Sequence, residues 1–462
     1  MYEFPWHNRD SGLISGKDKL TATDGQEFMQ NTYDTIIIGA GVIGAAIGFE
    51  MAKAGKRTLN VDMLPAAGYG STSNSCAIIR VYYSTVDGSA LANEGYYRWK
   101  DWAAYLGVAD ELGHAIFHET GCLVMKTEHN EQLGKVTAIM DQLDIPYEHW
   151  DAAKVMARLP IFDLKKFEPA KLPDDDGFGA PTGGELTGGV FFPHGGYIND
   201  PQLSAHNLQR AAEAHGATFQ YGKRVVQISK SSGRVTGVTL DDGSEISAPV
   251  VINVAGPHSN IVNELAGAGD DMRITTKALR QEVVHVPSPA GFDFDSAGLV
   301  VSDSDISCYA RPEIGNHILI GSEDPACDAH QVVDPDTFDR NFSEQWRTQA
   351  LRQAQRIPSL GIPSQMKGVV DLYDVTEDWL PIYDRSSIDG YYMAIGTSGN
   401  QFKNAPVVGA LMNELVDYVE GGGDHDTKPL AFRLTKMDRL IDLATFSRLR
   451  EINTDSSFSV LG

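Results

Sequence analysis

The stretch Thr32–Asp62, TYDTIIIGAGVIGAAIGFEMAKAGKRTLNVD, constrains this chain more than any other. Thr35-Ile36-Ile37-Ile38 is a short apolar, β-branched run that suits a strand buried on both faces of a parallel sheet. Gly39-Ala40-Gly41-Val42-Ile43-Gly44 follows at once and fits G-x-G-x-x-G. A small-residue helix is predicted from Ala45 to Ala54, stopped by Gly55, and a second strand from Arg57 to Val61 ends in Asp62. Gly39 permits the tight turn, Gly41 clears room for a pyrophosphate, and Gly44 lets helix and strand pack closely. The unpaired N–H groups at the helix start, from Val42 and Ile43 onward, meet phosphate charge. Asp62 is placed to accept hydrogen bonds from a ribose. The unit predicts a dinucleotide-binding domain.

The 462 residues allow two or more domains sharing a large interface. A formal net charge of −24 repels phosphate polyanions, which argues against nucleic acid or an anionic membrane as partner. Cys76, Cys122, Cys308 and Cys327 are scattered without a CxxC pair, so reduced thiols are expected, with no metal site and no disulfide frame. Residues 1–31 read as an extension, either loose or anchored by Phe4 and Trp6. They lack the pattern of a secretory signal, and the run from Thr35 to Phe49 is too short and glycine-rich to span a bilayer. A cytoplasmic protein with no membrane span is expected.

Beyond Asp62, Gly70-Ser71-Thr72-Ser73-Asn74-Ser75 forms a turn-rich loop of donors suited to lie over a pyrophosphate. Arg80 stands alone in the apolar stretch Cys76–Val81. An arginine there is costly to bury without an anion, so it is either an anion anchor or half of a structural ion pair. An amphipathic helix is predicted over Ser89–Leu106, with Leu91, Tyr96, Trp99, Trp102, Ala103 and Leu106 facing the core. A helix at Pro201–His215 precedes strands at Gly216–Phe219, Lys223–Ser229 (including Val225), Arg234–Leu240 and Pro249–Asn253, with a hairpin turn at Asp241-Asp242-Gly243-Ser244. Val254-Ala255-Gly256 then closes the return to the nucleotide-binding sheet. Strands at Leu279–Val286, Gly298–Val301, Ile306–Ala310 and His317–Gly321 suggest a separate antiparallel sheet, followed by a polar helix over Pro335–Gln355. Tyr391–Ile395 is a further strand. It leads into Gly396-Thr397-Ser398-Gly399-Asn400-Gln401-Phe402-Lys403, with a helix starting near Ala405.

These motifs, in this order, resemble the D-amino-acid-oxidase-like FAD oxidoreductases, nearest the sarcosine oxidase and dimethylglycine dehydrogenase branch. The resemblance runs from about Tyr33 to Glu420. It rests on GAGVIG with Asp62, GSTSNSCAIIR (Gly70 to Arg80), GGVFFPHGGYINDPQ (Gly188 to Gln202), VVINVAGPHS (Val250 to Ser259), CYARPEIGNHILIG (Cys308 to Gly321), DVTEDWLPI (Asp374 to Ile382) and GTSGNQFKNAPVVG (Gly396 to Gly409). It implies a mixed α/β fold, a Rossmann-like FAD-binding domain with an inserted antiparallel-sheet substrate domain. The expected division is FAD-binding over 32–110, 190–275 and 366–425, substrate-binding over 111–189 and 276–365, and a tail at 426–462.

The resemblance further implies that FAD contacts Gly39, Gly41, Val42, Ile43, Gly44 and Asp62, the loop Ser71 to Ser75, Val225, Ala255 and Gly256. Gly396 and Gly399 to Lys403 would pass beside the flavin ring. Arg80 matches the arginine that grips the substrate carboxylate, Lys403 its helper, and Tyr309 an active-site tyrosine. His258 stands where the family often carries an aromatic residue. The covalent-attachment cysteine of monomeric sarcosine oxidase is replaced by Asp371, and no histidine lies in the Gly70–Ser75 loop, so noncovalent FAD is expected. The oxygen-activating lysine of the monomeric oxidases would fall near Leu319, which favours electron acceptors other than O2. The implied partners are an amino-acid or amine substrate and O2 or another acceptor. Two other readings stay open here: oxidation of a 2-hydroxy acid, and a non-catalytic flavoprotein subunit.

Overall fold

The computed structural model describes residues 32–461; the extension over 1–31 lies outside them. Thr35–Ile38 and Thr58–Asp62 are adjacent parallel strands, joined by the helix Val42–Lys53. All four residues of the first strand are buried, as its unbroken apolar character requires. The six-stranded sheet runs Ile382–Arg385, Tyr391–Ile395, Val250–Asn253, Thr35–Ile38, Thr58–Asp62, Thr218–Tyr221, parallel except for its first pair.

The small residues of the first helix serve close packing on several sides. A Cβ at Gly409 of the helix Ala405–Glu420 would lie 2.5 Å from the Ala46 carbonyl oxygen, so that helix crosses almost backbone to backbone. On the sheet side, Gly48 leaves room for Asn60, a fully buried polar residue in the second strand. Asn60 Nδ2 donates to the carbonyls of Gly39 (3.1 Å) and Gly44 (2.9 Å), tying the glycine turn to the strand beneath it.

The second sheet has nine strands. Its path is Gln331–Val332, Lys277–Pro287, His317–Ser322, Cys308–Glu313, Val300–Asp303, Cys122–Met125, Gly188–Phe192, Glu148–Asp151, and Gly368–Val375 also pairs with Lys277–Pro287. It is antiparallel apart from the pairing of Val300–Asp303 with Cys122–Met125. The chain is thus a mixed α/β fold in which an antiparallel sheet interrupts a Rossmann-like one. The hairpin at Asp241–Ser244 forms as expected, with Gly243 N–H donating to the Leu240 carbonyl at 2.9 Å.

Several elements depart from the sequence reading. Gly368–Val375 was expected to run with the nucleotide-binding unit; its half-buried alternation pairs it along the edge of the larger sheet, and the chain rejoins the six-stranded sheet only at Ile382. The helix expected over Ser89–Leu106 begins at Val86, capped by the Thr85 hydroxyl, and breaks at Asp101, which leaves Ala103 exposed. The helix expected from Pro335 starts at Glu344, because Asp334, Asp336, Asp339 and Asn341 sit in a run of side-chain-capped turns and Ser343 supplies the helix cap. Residues beyond 426 are not a mere tail. Ala431–Leu434 and Arg439–Asp442 form a hairpin, and the buried Arg448 binds Asp271, Asp384 and Asp426. Among the described residues no helix is long and apolar enough to cross a membrane.

Candidate active site

One cavity of about 570 Å³ runs from the glycine turn of the six-stranded sheet to the face of the nine-stranded one. At its first end the three glycines of the turn behave as the motif requires. Gly39 has φ +121° and its missing Cβ would sit 2.3 Å from the Val254 carbonyl oxygen; a Cβ on Gly44 would meet the Gly39 carbonyl oxygen at 2.3 Å. The helix Val42–Lys53 carries no side-chain cap at Gly41, and Thr72 Oγ1 takes the Val42 N–H at 3.0 Å. Asp62 accepts from the Ala40 and Leu64 N–H groups at 2.7 and 2.8 Å, which orients both oxygens and leaves lone pairs for hydroxyl donors. Burial pushes its carboxyl above the usual range.

This end is closed by residues that local sequence patterns did not mark. Pro335, Asp336, Phe338 and Arg340, in the segment expected to be helical, line it. His258 Nε2 pairs with Asp336 at 3.0 Å, and Arg224 holds the same carboxylate with two bonds of 2.7 and 3.0 Å. His258 therefore belongs to the nucleotide end, close enough to Asp62 to influence its charge, and not to the cations at the far end.

At the far end, Arg80, Lys403 and Tyr309 come together from three distant parts of the chain. The Arg80 guanidinium lies 4.3 Å from the Tyr83 ring centre and Lys403 Nζ 4.7 Å from the same ring. Both residues are buried, with 6% and 2% exposure. Arg80 Nη1 donates to the Tyr82 carbonyl and Nη2 to the Val460 carbonyl, each at 2.8 Å, and Lys403 Nζ donates to the Asn400 carbonyl. Among the described residues neither cation has a carboxylate partner, so Arg80 is not half of a structural ion pair. Burial first, then the charge of Arg80, holds the Lys403 ammonium well below its ordinary range. Burial also keeps Tyr309 protonated at any ordinary pH, beside Tyr373 and 3.6 Å from Cys76 Sγ.

The loop before Lys403 is set by its neighbours. The buried Asp374 accepts from the Gly396 N–H at 2.7 Å and from the Thr397 hydroxyl. Gly399, at φ +68°, passes so near Tyr373 that a Cβ would lie 2.5 Å from the ring. Trp99, stacked on Phe402 with centroids 5.3 Å apart, donates Nε1–H to the Lys403 carbonyl at 2.8 Å. The aromatic stripe read as core packing thus also seats the lysine.

Every other residue singled out as a cofactor contact lines the cavity, with two exceptions. Ser73 turns inward to close its own loop, its hydroxyl donating to the Gly70 carbonyl at 2.9 Å. Gly396 lies beneath the loop, its N–H taken by Asp374. Leu319 does not line the cavity either; it sits opposite His285 and Arg311 in the sheet, and the lysines that do line it are Lys223 and Lys403. Gln281, Ser302, Tyr373 and Val460 also line the cavity without having been anticipated. Of these only the motif holding Asp374 carried a signal nearby.

A dinucleotide turn opening into a chamber with two buried cations, on this two-sheet fold, defines a flavin-dependent oxidoreductase. The chain belongs to the FAD dependent oxidoreductase family, whose model matches residues 34–415. Its relatives include glycine oxidase of Geobacillus kaustophilus (strain HTA426), 25% identical over 398 residues, covering 86% of this chain and 96% of the relative. Monomeric sarcosine oxidase of Bacillus sp. (strain NS-129) is 27% identical over 418 residues, with the same coverage of 86% and 96%. Among solved structures, L-proline dehydrogenase from P. horikoshii superposes with a TM-score of 0.69 at 19% identity, covering 85% of this chain and 95% of that one. The glycine oxidase from G. kaustophilus does so at 0.69 and 22%, covering 92% and 100%. The fold and the FAD requirement follow. The three-glycine cradle, the helix start beside Thr72 and the Asp62 carboxylate fit that cofactor.

Proposed function

We propose that this enzyme oxidises the C–N bond of an amino acid or N-alkylated amino acid, a sarcosine-like secondary or tertiary amine, to an imine that water then hydrolyses. The observation that carries this reading is the pair of buried cations, Arg80 and Lys403, with no acidic partner among the described residues. Two such charges held together are unfavourable unless an anion joins them. A guanidinium fork with an adjacent ammonium suits a carboxylate. The glycine and sarcosine oxidases among the relatives support the same substrate class.

FAD, when bound, supplies the acceptor for the hydride that leaves the carbon next to nitrogen. The chain's own residues do the rest. Arg80 and Lys403 hold the carboxylate and so orient that carbon. Their charge also lowers the affinity of the substrate nitrogen for its proton, keeping available the lone pair that becomes the C=N bond. The protonated Tyr309 and the apolar Val283, Val300 and Val301 narrow the chamber against water. Anaerobic addition of sarcosine, glycine, proline and D-alanine, one at a time, is expected to bleach the yellow flavin absorption with at least one of them. Bleaching by lactate alone would move the reading to 2-hydroxy acids, and no bleaching by any of the five would reject it. Admitting air afterwards measures how fast O2 restores the colour.

The same residues support noncovalent FAD. Asp371, facing the cavity, is an oxygen acid held by Asn74 Nδ2 (2.5 Å) and the Leu372 N–H (2.7 Å). Cys76, the cysteine lining the cavity, has its thiol pushed up by burial, which leaves little thiolate to attack a ring. Denaturing the holoenzyme and filtering it should therefore release all the flavin; yellow colour retained with the chain would overturn this part of the proposal.

A further inference from the structure

After leaving the six-stranded sheet the chain comes back to the substrate end of the cavity. It is anchored on the buried Asp378, which takes Arg450 Nη2 at 2.8 Å and the Asn453 N–H at 3.2 Å. Beyond that anchor, Ser456–Leu461 is shaped by its own serines: Ser456 Oγ accepts from the Phe458 N–H and Ser459 Oγ from the Leu461 N–H, each at 3.2 Å. The segment reaches the cavity at Val460. Its carbonyl oxygen takes Arg80 Nη2 at 2.8 Å, and its side chain packs with Leu279, Tyr309, Val375 and Trp379.

The other side of the same residue faces an acid. The Val460 N–H faces the Asp324 carboxyl, which burial pushes up to about 6 and which the N–H pulls back only in part. Asp324 Oδ1 accepts from Gln281 Nε2 at 2.8 Å, while its buried Oδ2 has no hydrogen-bond partner. One residue therefore offers an N–H toward an acid and a carbonyl to a guanidinium. That is the polarity of an α-amino acid, set in the chamber where the substrate is expected.

We infer that Ser456–Leu461 is a built-in competitor for the substrate carboxylate, and that Val460 sets the affinity of the site. The inference rests on Arg80 being the carboxylate anchor, as proposed above. A carboxylate brings the guanidinium an opposite charge and two parallel bonds, where the Val460 carbonyl offers one bond from a neutral oxygen, so substrate displaces the segment and not the reverse. Between the Asp378 anchor and Val460 the segment is tied to the rest of the chain by the exposed Lys135–Asp455 pair at 3.3 Å, so swinging aside costs chiefly the contacts of Val460 itself. Apparent affinity is then reduced in proportion to the open fraction, a tenfold reduction if the segment is seated nine-tenths of the time.

The test uses FAD-loaded full chain, a variant lacking 456–462, Val460→Gly and Arg80→Met. Acetate, a carboxylate with no nitrogen to oxidise, is titrated against the flavin spectrum. Acetate should bind the shortened chain about tenfold more tightly than the full chain, with Val460→Gly in between and Arg80→Met binding weakest. Equal acetate affinity in the full and shortened chains, with binding still lost in Arg80→Met, overturns the competitor and leaves the carboxylate anchor standing. Acetate binding that ignores Arg80→Met removes the anchor itself, and the competitor with it. Should the shortened chain fail to hold flavin, Val460→Gly decides: tighter acetate binding supports the competitor, and unchanged binding rejects it.

Discussion

Arg80→Met is expected to cut kcat/KM for the best amino-acid substrate by roughly a thousandfold, the equivalent of about 4 kcal/mol for removing one partner of a buried, hydrogen-bonded charge pair. The loss should fall on KM and kcat together. The guanidinium both binds the carboxylate and, through it, fixes the distance from the reacting carbon to the flavin. Arg80 is 6% exposed and its fork donates to the Tyr82 and Val460 carbonyls, neutral oxygens that a substrate carboxylate can outbid. Arg80→Lys keeps the charge and loses the planar fork, and an intermediate loss is expected. The check is the rate of anaerobic flavin bleaching against substrate concentration, with flavin content measured in parallel. A kcat/KM within threefold of the parent, at full flavin content, would remove Arg80 from the site.

Gly44→Val addresses the other end of the cavity. A Cβ there would lie 2.3 Å from the Gly39 carbonyl oxygen, an atom fixed by the hydrogen bond from Asn60 that holds turn and strand together. Neither side can yield cheaply, since both belong to the backbone of the turn. Helix and strand must separate, at an expected cost of about 3 kcal/mol for overpacking. Because that shift opens the cradle itself, the FAD dissociation constant should rise by roughly a hundredfold. Gly55→Ala serves as the comparison: that residue also has a positive φ, +88°, but nothing lies within 4 Å of its missing Cβ. It should lose some stability and keep its flavin. Flavin retained after gel filtration and fluorescence titration of FAD report both outcomes. Full retention by Gly44→Val would mean that this close approach is not what shapes the cradle.

The parts of the site that could be read in advance are those built from neighbours in sequence. GAGVIG with Asp62 is one: the turn, the helix start and the acid are joined by bonds spanning at most two dozen residues. The helix at Ala405 behind GTSGNQFK is another. Errors clustered where a local signal competed with a tertiary one. Ser73 looked like a donor to a ligand and instead closes its own turn on Gly70. Pro335–Arg340 had the composition of a helix start, but a run of Asp and Asn side chains bonds its backbone locally and leaves it as a loop over the nucleotide end. Gly368–Val375 could belong to either sheet by pattern, and only the long strand Lys277–Pro287 chose between them.

Taken alone, the sequence determined the dinucleotide turn, the alternation of parallel and antiparallel strand runs, and Arg80 as a candidate anchor, while Tyr309 and Lys403 entered through the resemblance to a known family. Those follow from periodicity, glycine geometry and motif order, which depend on short-range bonds. Only the tertiary structure decided that the two cations share one aromatic ring with no carboxylate paired to either among the described residues, that His258 turns to Asp336, and that Val460 takes half of the Arg80 fork. Apart from Arg80 on Tyr83, these contacts join residues 78 or more positions apart, up to 380 for Arg80 and Val460. They exist because strands and loops of both sheets line one cavity, and no local pattern encodes which side chains that arrangement brings together.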